Sequence, residues 1–221
     1  VVPELPDAIE PTDSPSPTIL PTEAQEPSGE EAQAAVVAAL LALYSAPNRM
    51  TDTTSLGEAQ PTTNVIEFVP PDRKRIASAD QGVEYIVIGD DVYVNTKDTG
   101  TWEKAQIPGA TFLGDGEVTA ETISATVSDA RWLRSEVLDE TAVAVYSYRS
   151  TSRSGDVDLQ SQTELWIGQD DGLPKRMSVT GETLSVSTDP STGVSTQKAV
   201  QARSTILIEF DTTIRIEPPI P

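Results

Sequence analysis

The chain has 221 residues, with 15 Lys plus Arg against 35 Asp plus Glu, a formal net charge of −20, and neither Cys nor His. That composition removes the side chains needed for a histidine general base, a cysteine nucleophile, a thiolate or imidazole zinc site and a covalently attached haem, so any catalysis would have to run on carboxylates, Lys, Tyr or hydroxyls. A pI near 4.1 argues against nucleic acid and anionic membrane surfaces, because both require a cationic face, and leaves neutral, apolar or basic partners.

Seven of the 17 prolines fall in residues 1–27, and residues 1–31 carry eight acidic side chains with no Lys or Arg before Arg49. Such a stretch cannot bury enough apolar area to offset its ordering entropy, so residues 1–28 are expected to be a disordered linker and 29–221 the folded domain. At about 3.1 Å per residue, an extended Pro-rich segment of this length reaches roughly 80–90 Å. Because the chain begins at Val1 rather than Met, a signal peptide, with an acylated Cys as its anchor, is expected upstream of Val1, and membrane association only through that anchor; a disordered N-terminal tail with no anchor is the alternative.

Ser28 followed by Glu31 has the spacing of a capping box opening a helix. Val36, Val37, Leu40, Leu41 and Tyr44 then fall on one stripe, and Pro47 ends the pattern. The apolar run 34–44 has 11 residues, short of the roughly 20 that cross a bilayer.

From Arg49 onward the pattern is one of short alternating segments separated by turn residues, with 26 Thr in the chain favouring extended backbone. Strands are expected at 64–69, 73–79, 83–88, 91–96, 101–104, 130–138, 141–150, 158–167, 174–180 and 199–211. The turn residues between them include Gly89-Asp90, Asp98-Thr99-Gly100, Asp139-Glu140, Ser154-Gly155, Asp170-Asp171-Gly172 and the stretch 189–193. The segment 119–128, with Ile123 and Val127 four apart, reads as a short helix.

In the first strand Ile66 and Phe68 share a face opposite Glu67; in 83–88 both faces are apolar, so that strand is expected to be covered on each side. Only 5% of the residues are aromatic, so the interior is aliphatic, which suits either a packed core or the wall of a site for an aliphatic ligand. The acidic pairs Asp90-Asp91 and Asp170-Asp171, and Asp115-Gly116-Glu117, fit hairpin turns better than a Ca²⁺ loop, since none has EF-hand spacing. Arg73-Lys74-Arg75 and Lys175-Arg176 read as charge balance on an exposed strand face. No phosphate loop, nucleophile elbow or converging carboxylate pair stands out, so no catalytic residue, metal ligand or cofactor is expected.

The order of segments resembles a known family. A helix, Asn48-Arg49-Met50 entering a strand, Phe68-Val69-Pro70-Pro71-Asp72-Arg73, then Tyr85-Ile86-Val87-Ile88-Gly89-Asp90-Asp91-Val92-Tyr93 followed by Trp102 form the first half. Glu164-Leu165-Trp166-Ile167, Gly172-Leu173-Pro174-Lys175-Arg176, and a last strand ending at Phe210 before Ile216-Glu217-Pro218-Pro219 form the second. This order resembles the LolA/LppX-like (LprG-like) superfamily of bacterial lipoprotein carriers, over about residues 30–219. Two departures stand out: no lipobox Cys is visible, and a Thr/Ser-rich hairpin at 184–196 looks like an added surface extension.

The resemblance implies a mainly β (α+β) fold in which a strongly curved antiparallel sheet forms an incomplete, half β-barrel with covering helices. It further implies an exported, membrane-tethered, monomeric binding protein, not an enzyme, that holds a lipid or lipoprotein acyl chain between sheet and helices. Val36, Leu40, Tyr44, Ile66, Phe68, Ile86 and Ile88 are the expected cavity-lining residues. A cell-envelope regulatory or protein-interaction module of the same fold, without lipid transport, is the alternative.

Overall fold

The computed structural model describes residues 26–98, 100–105, 118–154, 157–188 and 195–219, with the backbone alone at 152–154, 157–158, 184–188 and 195–199. Helix α1 spans Gly29–Ser45. Its capping box is formed: Ser28 N–H donates to Glu31 Oε2 at 2.7 Å and Glu31 N–H donates to Ser28 Oγ at 3.3 Å. These bonds to Ser28 hold the Glu31 carboxyl below its ordinary range. At the other end Ala46 is extended, as the residue before a proline prefers, and Pro47 stops the helix.

Eleven strands follow among the described residues. The first six are β1 (Asn48–Leu56), β2 (Thr62–Val69), β3 (Arg73–Ser78), β4 (Val83–Ile88), β5 (Asp91–Thr96) and β6 (Trp102–Ala105). Helix α2 (Ala120–Thr126) leads into β7 (Val127–Leu138), β8 (Thr141–Ser154), β9 (Val157–Gly168), β10 (Pro174–Thr188) and β11 (Ser195–Phe210). All pair antiparallel in one open sheet of order β6-β5-β4-β3-β2-β1-β11-β10-β9-β8-β7. Two meanders are thus joined where β11 pairs with β1, from Asn48↔Phe210 to Leu56↔Ala202.

The expected mainly β architecture, an incomplete barrel with helices on one face, is the observed one, with two helices among the described residues. The sequence pattern omits most of β1, whose Thr-rich run lacks apolar alternation, and starts β7 three residues late. The hairpin at 184–196 continues the β10–β11 pairing outward, from Leu184↔Ala199 to Thr188↔Ser195. The turn at 189–194 and the motif Asp115-Gly116-Glu117 lie outside the described residues, as do residues 1–25 of the expected linker.

Three apolar clusters form among the described residues. Under α1, Ala32, Val36, Val37 and Ala39 pack with Ile123, Val127, Tyr146, Tyr148, Leu165 and Ile167. On the opposite face Ile86 and Tyr93 pack with Ile214 and Ile216, which follow β11. Farther along that face Val143, Val145 and Trp166 form the third. Each fully buried aliphatic side chain contributes roughly 1.5–3 kcal/mol.

Candidate ligand-binding face

Helices α1 and α2 both lie on one face of the sheet, α1 against β7 and β10 and α2 against β7 and β8. Gln33 Nε2 donates to Val127 O at 3.0 Å and ties α1 to the start of β7. The face that carries the helices also continues across β11 and β1 to β5, and pairing register there sorts its side chains into rows that cross the strands.

The row nearest the C-terminal end of α1 is Phe210, Asn48, Phe68, Lys74, Val87 and Val92. Phe68, Val87 and Val92 are buried and Asn48 is fully so. Asn48 Nδ2 donates to Leu43 O at 2.7 Å and Ala46 O at 3.0 Å, satisfying carbonyls that the helix end leaves open. Its Oδ1, turned away from those two carbonyls, has no protein partner.

The next row is Ile208, Met50, Ile66, Ile76, Tyr85 and Val94. It is apolar from end to end, and all but Ile208 are only half-buried. At about 4.8 Å between strands it runs roughly 24 Å. A third row, Ile206, Asp52, Asn64, Ser78, Val83 and Thr96, is largely polar; Asp52 accepts hydrogen bonds from Thr54 and Ser204. The face therefore passes from a buried row through a half-exposed apolar strip to a polar rim. A separate cleft of 640 Å³ opens between the helices, lined mainly by Ala34, Val37, Ala38 and Leu41 of α1 and Ala120 and Ser124 of α2.

The seven expected lining residues divide into three groups. Leu40, Tyr44, Ile66 and Phe68 lie on the helix side: Tyr44 is 47% exposed and its ring meets Phe68 edge-on at 6.3 Å between centroids, and Leu40 packs at the edge of the core beneath α1. Val36 is inside that core with no exposed surface. Ile86 and Ile88 are on the opposite face, Ile86 in line with Arg75 and Tyr93 and both packed in the cluster with Ile214 and Ile216. They cannot line the same surface as Ile66, because neighbouring residues of a strand point to opposite sides and register places Tyr85, not Ile86, in the row of Ile66. Met50, Ile76, Tyr85 and Val94 complete the strip; for Tyr85 the signal in the sequence is the alternation of β4, taken on its other phase.

The opposite face holds the main ion-pair network. Glu67, 12% exposed in its side chain, accepts from Arg49 at 2.6 Å and faces Arg75 at 3.4 Å, and Arg75 pairs with Glu84. Hydrogen bonding to Glu67 raises the pKa of Arg49, and bonding to Glu84 that of Arg75. Among the described residues no group of three Asp or Glu converges as a metal site, and no helix is long and apolar enough to cross a membrane.

Two solved mycobacterial structures share this fold. The lipoprotein LppX of Mycobacterium tuberculosis matches with a TM-score of 0.53 at 15% identity, covering 86% of this chain and 100% of LppX. LprF of Mycobacterium bovis matches with a TM-score of 0.55 at 11% identity, covering 89% and 100% respectively. No protein-family model matches the sequence, and no curated protein does. The chain thus has the open-sheet fold of LppX and LprF.

Proposed function

We propose that the protein binds the acyl chain of a lipid or lipidated ligand on the helix side of its half-barrel and acts by binding rather than catalysis. The observation that carries this reading is the apolar strip Met50, Ile66, Ile76, Tyr85 and Val94, left partly exposed on the face that the helices cover elsewhere. A monomeric soluble domain gains nothing from an open strip of this length, whereas a ligand covering it gains about 0.8 kcal/mol per buried CH₂. Ten such groups contribute about 8 kcal/mol, which corresponds to micromolar affinity before ordering costs. Phe68, in the adjoining row, borders the strip, and the ring of Tyr44 meets it at the end of α1.

Likeness to a lipoprotein, LppX, supports placing the protein outside the cytoplasm, with residues 1–28 as tether and 29–221 as the binding domain. The direct test is titration with a fluorescent long-chain fatty acid. Wild type should bind at micromolar concentration, and Ile76→Glu should weaken binding at least tenfold with an unchanged far-UV circular dichroism spectrum. Absence of binding by wild type, or equal binding by a folded Ile76→Glu, would overturn the reading.

A further inference from the structure

The basic triplet Arg73-Lys74-Arg75 is divided by the sheet. Alternation sends Arg73 and Arg75 to the outer face, where both guanidinium groups are engaged: Arg73 Nη1 donates to Ile216 O at 2.7 Å, and Arg75 pairs with Glu84 and Glu67. Lys74 faces the helix side. Its cross-strand neighbours are Phe68 and Val87, both buried, and the next residue of its own strand on that side is Ile76 of the apolar strip.

Lys74 is the one cation on the helix side of β1 to β6 among the described residues; the charged residues sharing that side are Asp52, in the polar row and bonded to Thr54 and Ser204, and the exposed Glu103 of β6. An ammonium in apolar surroundings is costly, and burial lowers the Lys74 pKa. A chain of net charge −20 repels anions at long range, so an anionic ligand needs a local cation, and a charge pair is strongest where water is thin. Lys74 already has an interaction within the protein, with which a bound anion would compete.

We infer that Lys74 sets the specificity of this face, selecting acyl-chain ligands that carry an anionic group, a carboxylate or a phosphate, over uncharged ones. This rests on the lipid-binding reading above and adds the ligand's charge to it. The experiment is calorimetric titration at pH 7 with three ligands sharing one oleoyl chain: oleate, oleoyl lysophosphatidate and the uncharged monoolein. Wild type should bind at least one of the two anions tenfold or more tighter than monoolein, and which one separates a carboxylate from a phosphate ligand. Lys74→Met should bring that anion down to the monoolein level while leaving monoolein within twofold; Lys74→Arg should keep the preference. No preference in wild type, or a preference that survives in Lys74→Met, would overturn the inference while leaving lipid binding in place. Failure of wild type to bind any of the three would instead remove the lipid-binding reading, and this inference with it. The wild-type preference is read without any variant, so a misfolded Lys74→Met does not blunt the test.

Discussion

Tyr148 sits beneath α1, 4% exposed, with Thr163 opposite it on β9. Burial pushes its phenol pKa up, a hydrogen bond to Thr163 opposing the shift in part. In the unfolded chain the phenol titrates near 10; in the fold it resists ionisation, so its contribution is whole below pH 10 and is lost as pH rises through the folded value. Tyr148→Phe is therefore expected to flatten the alkaline limb of stability between pH 9 and 11, measured by urea unfolding, with Tyr146 retaining a share of the limb. Loss of the Thr163 bond shifts the baseline by about 1 kcal/mol at neutral pH, so the slope is the quantity to compare. Equal slopes would show that this phenol is not held neutral by burial.

At the scale of elements, the segment after β11 acts as a strap. Ile214 and Ile216 are buried against Ile86 and Tyr93 with Val69, Ile88 and Trp102 alongside, and Arg73 holds the strap by its donation to Ile216 O. Ile216→Ala is expected to lower stability by about 2–4 kcal/mol in chemical denaturation and to leave lipid titration unchanged, because the strap and the apolar strip occupy opposite faces. A loss under 1 kcal/mol would mean that the strap does not support the outer core.

The strap also explains what the sequence could and could not convey. Strand β4 is apolar on both faces, and its pattern requires two covers without saying which cover belongs to which face. Only pairing register, fixed across four strands, assigns Tyr85 to the helix side and Ile86 to the strap. Helix α1 posed a similar ambiguity. Ala, Val and Leu run around much of its surface, so periodicity favours the stripe Val36, Val37, Leu40, Leu41 and Tyr44, whereas Ala32, Val36, Val37, Ala39 and Leu43 are the buried residues. The small Ala32 and Ala39 allow α1 to approach the sheet, where Tyr146 and Tyr148 fill the space. The cap of α1, the turns at Gly89-Asp90, Asp139-Glu140 and Asp170-Asp171 and most strands were legible because each is decided by a few adjacent residues; the faces were not, because each depends on partners far along the chain.

For the whole molecule, the two sides of one sheet differ. The outer side is closed by ion pairs, the strap and the Trp166 cluster, where Arg176 stacks 4.8 Å from the indole and Glu136 accepts from its Nε1 at 2.6 Å. The helix side keeps an apolar strip within reach of solvent, bounded by a polar row. The central claim is that this strip holds an acyl chain, and native mass spectrometry of the protein purified from bacteria without detergent, followed by solvent extraction, tests it most directly. The account predicts adducts of several hundred daltons above 23.6 kDa that extract as acylated lipids and are missing from Ile76→Glu. A bare mass in wild type that stays bare after incubation with fatty acid would contradict it.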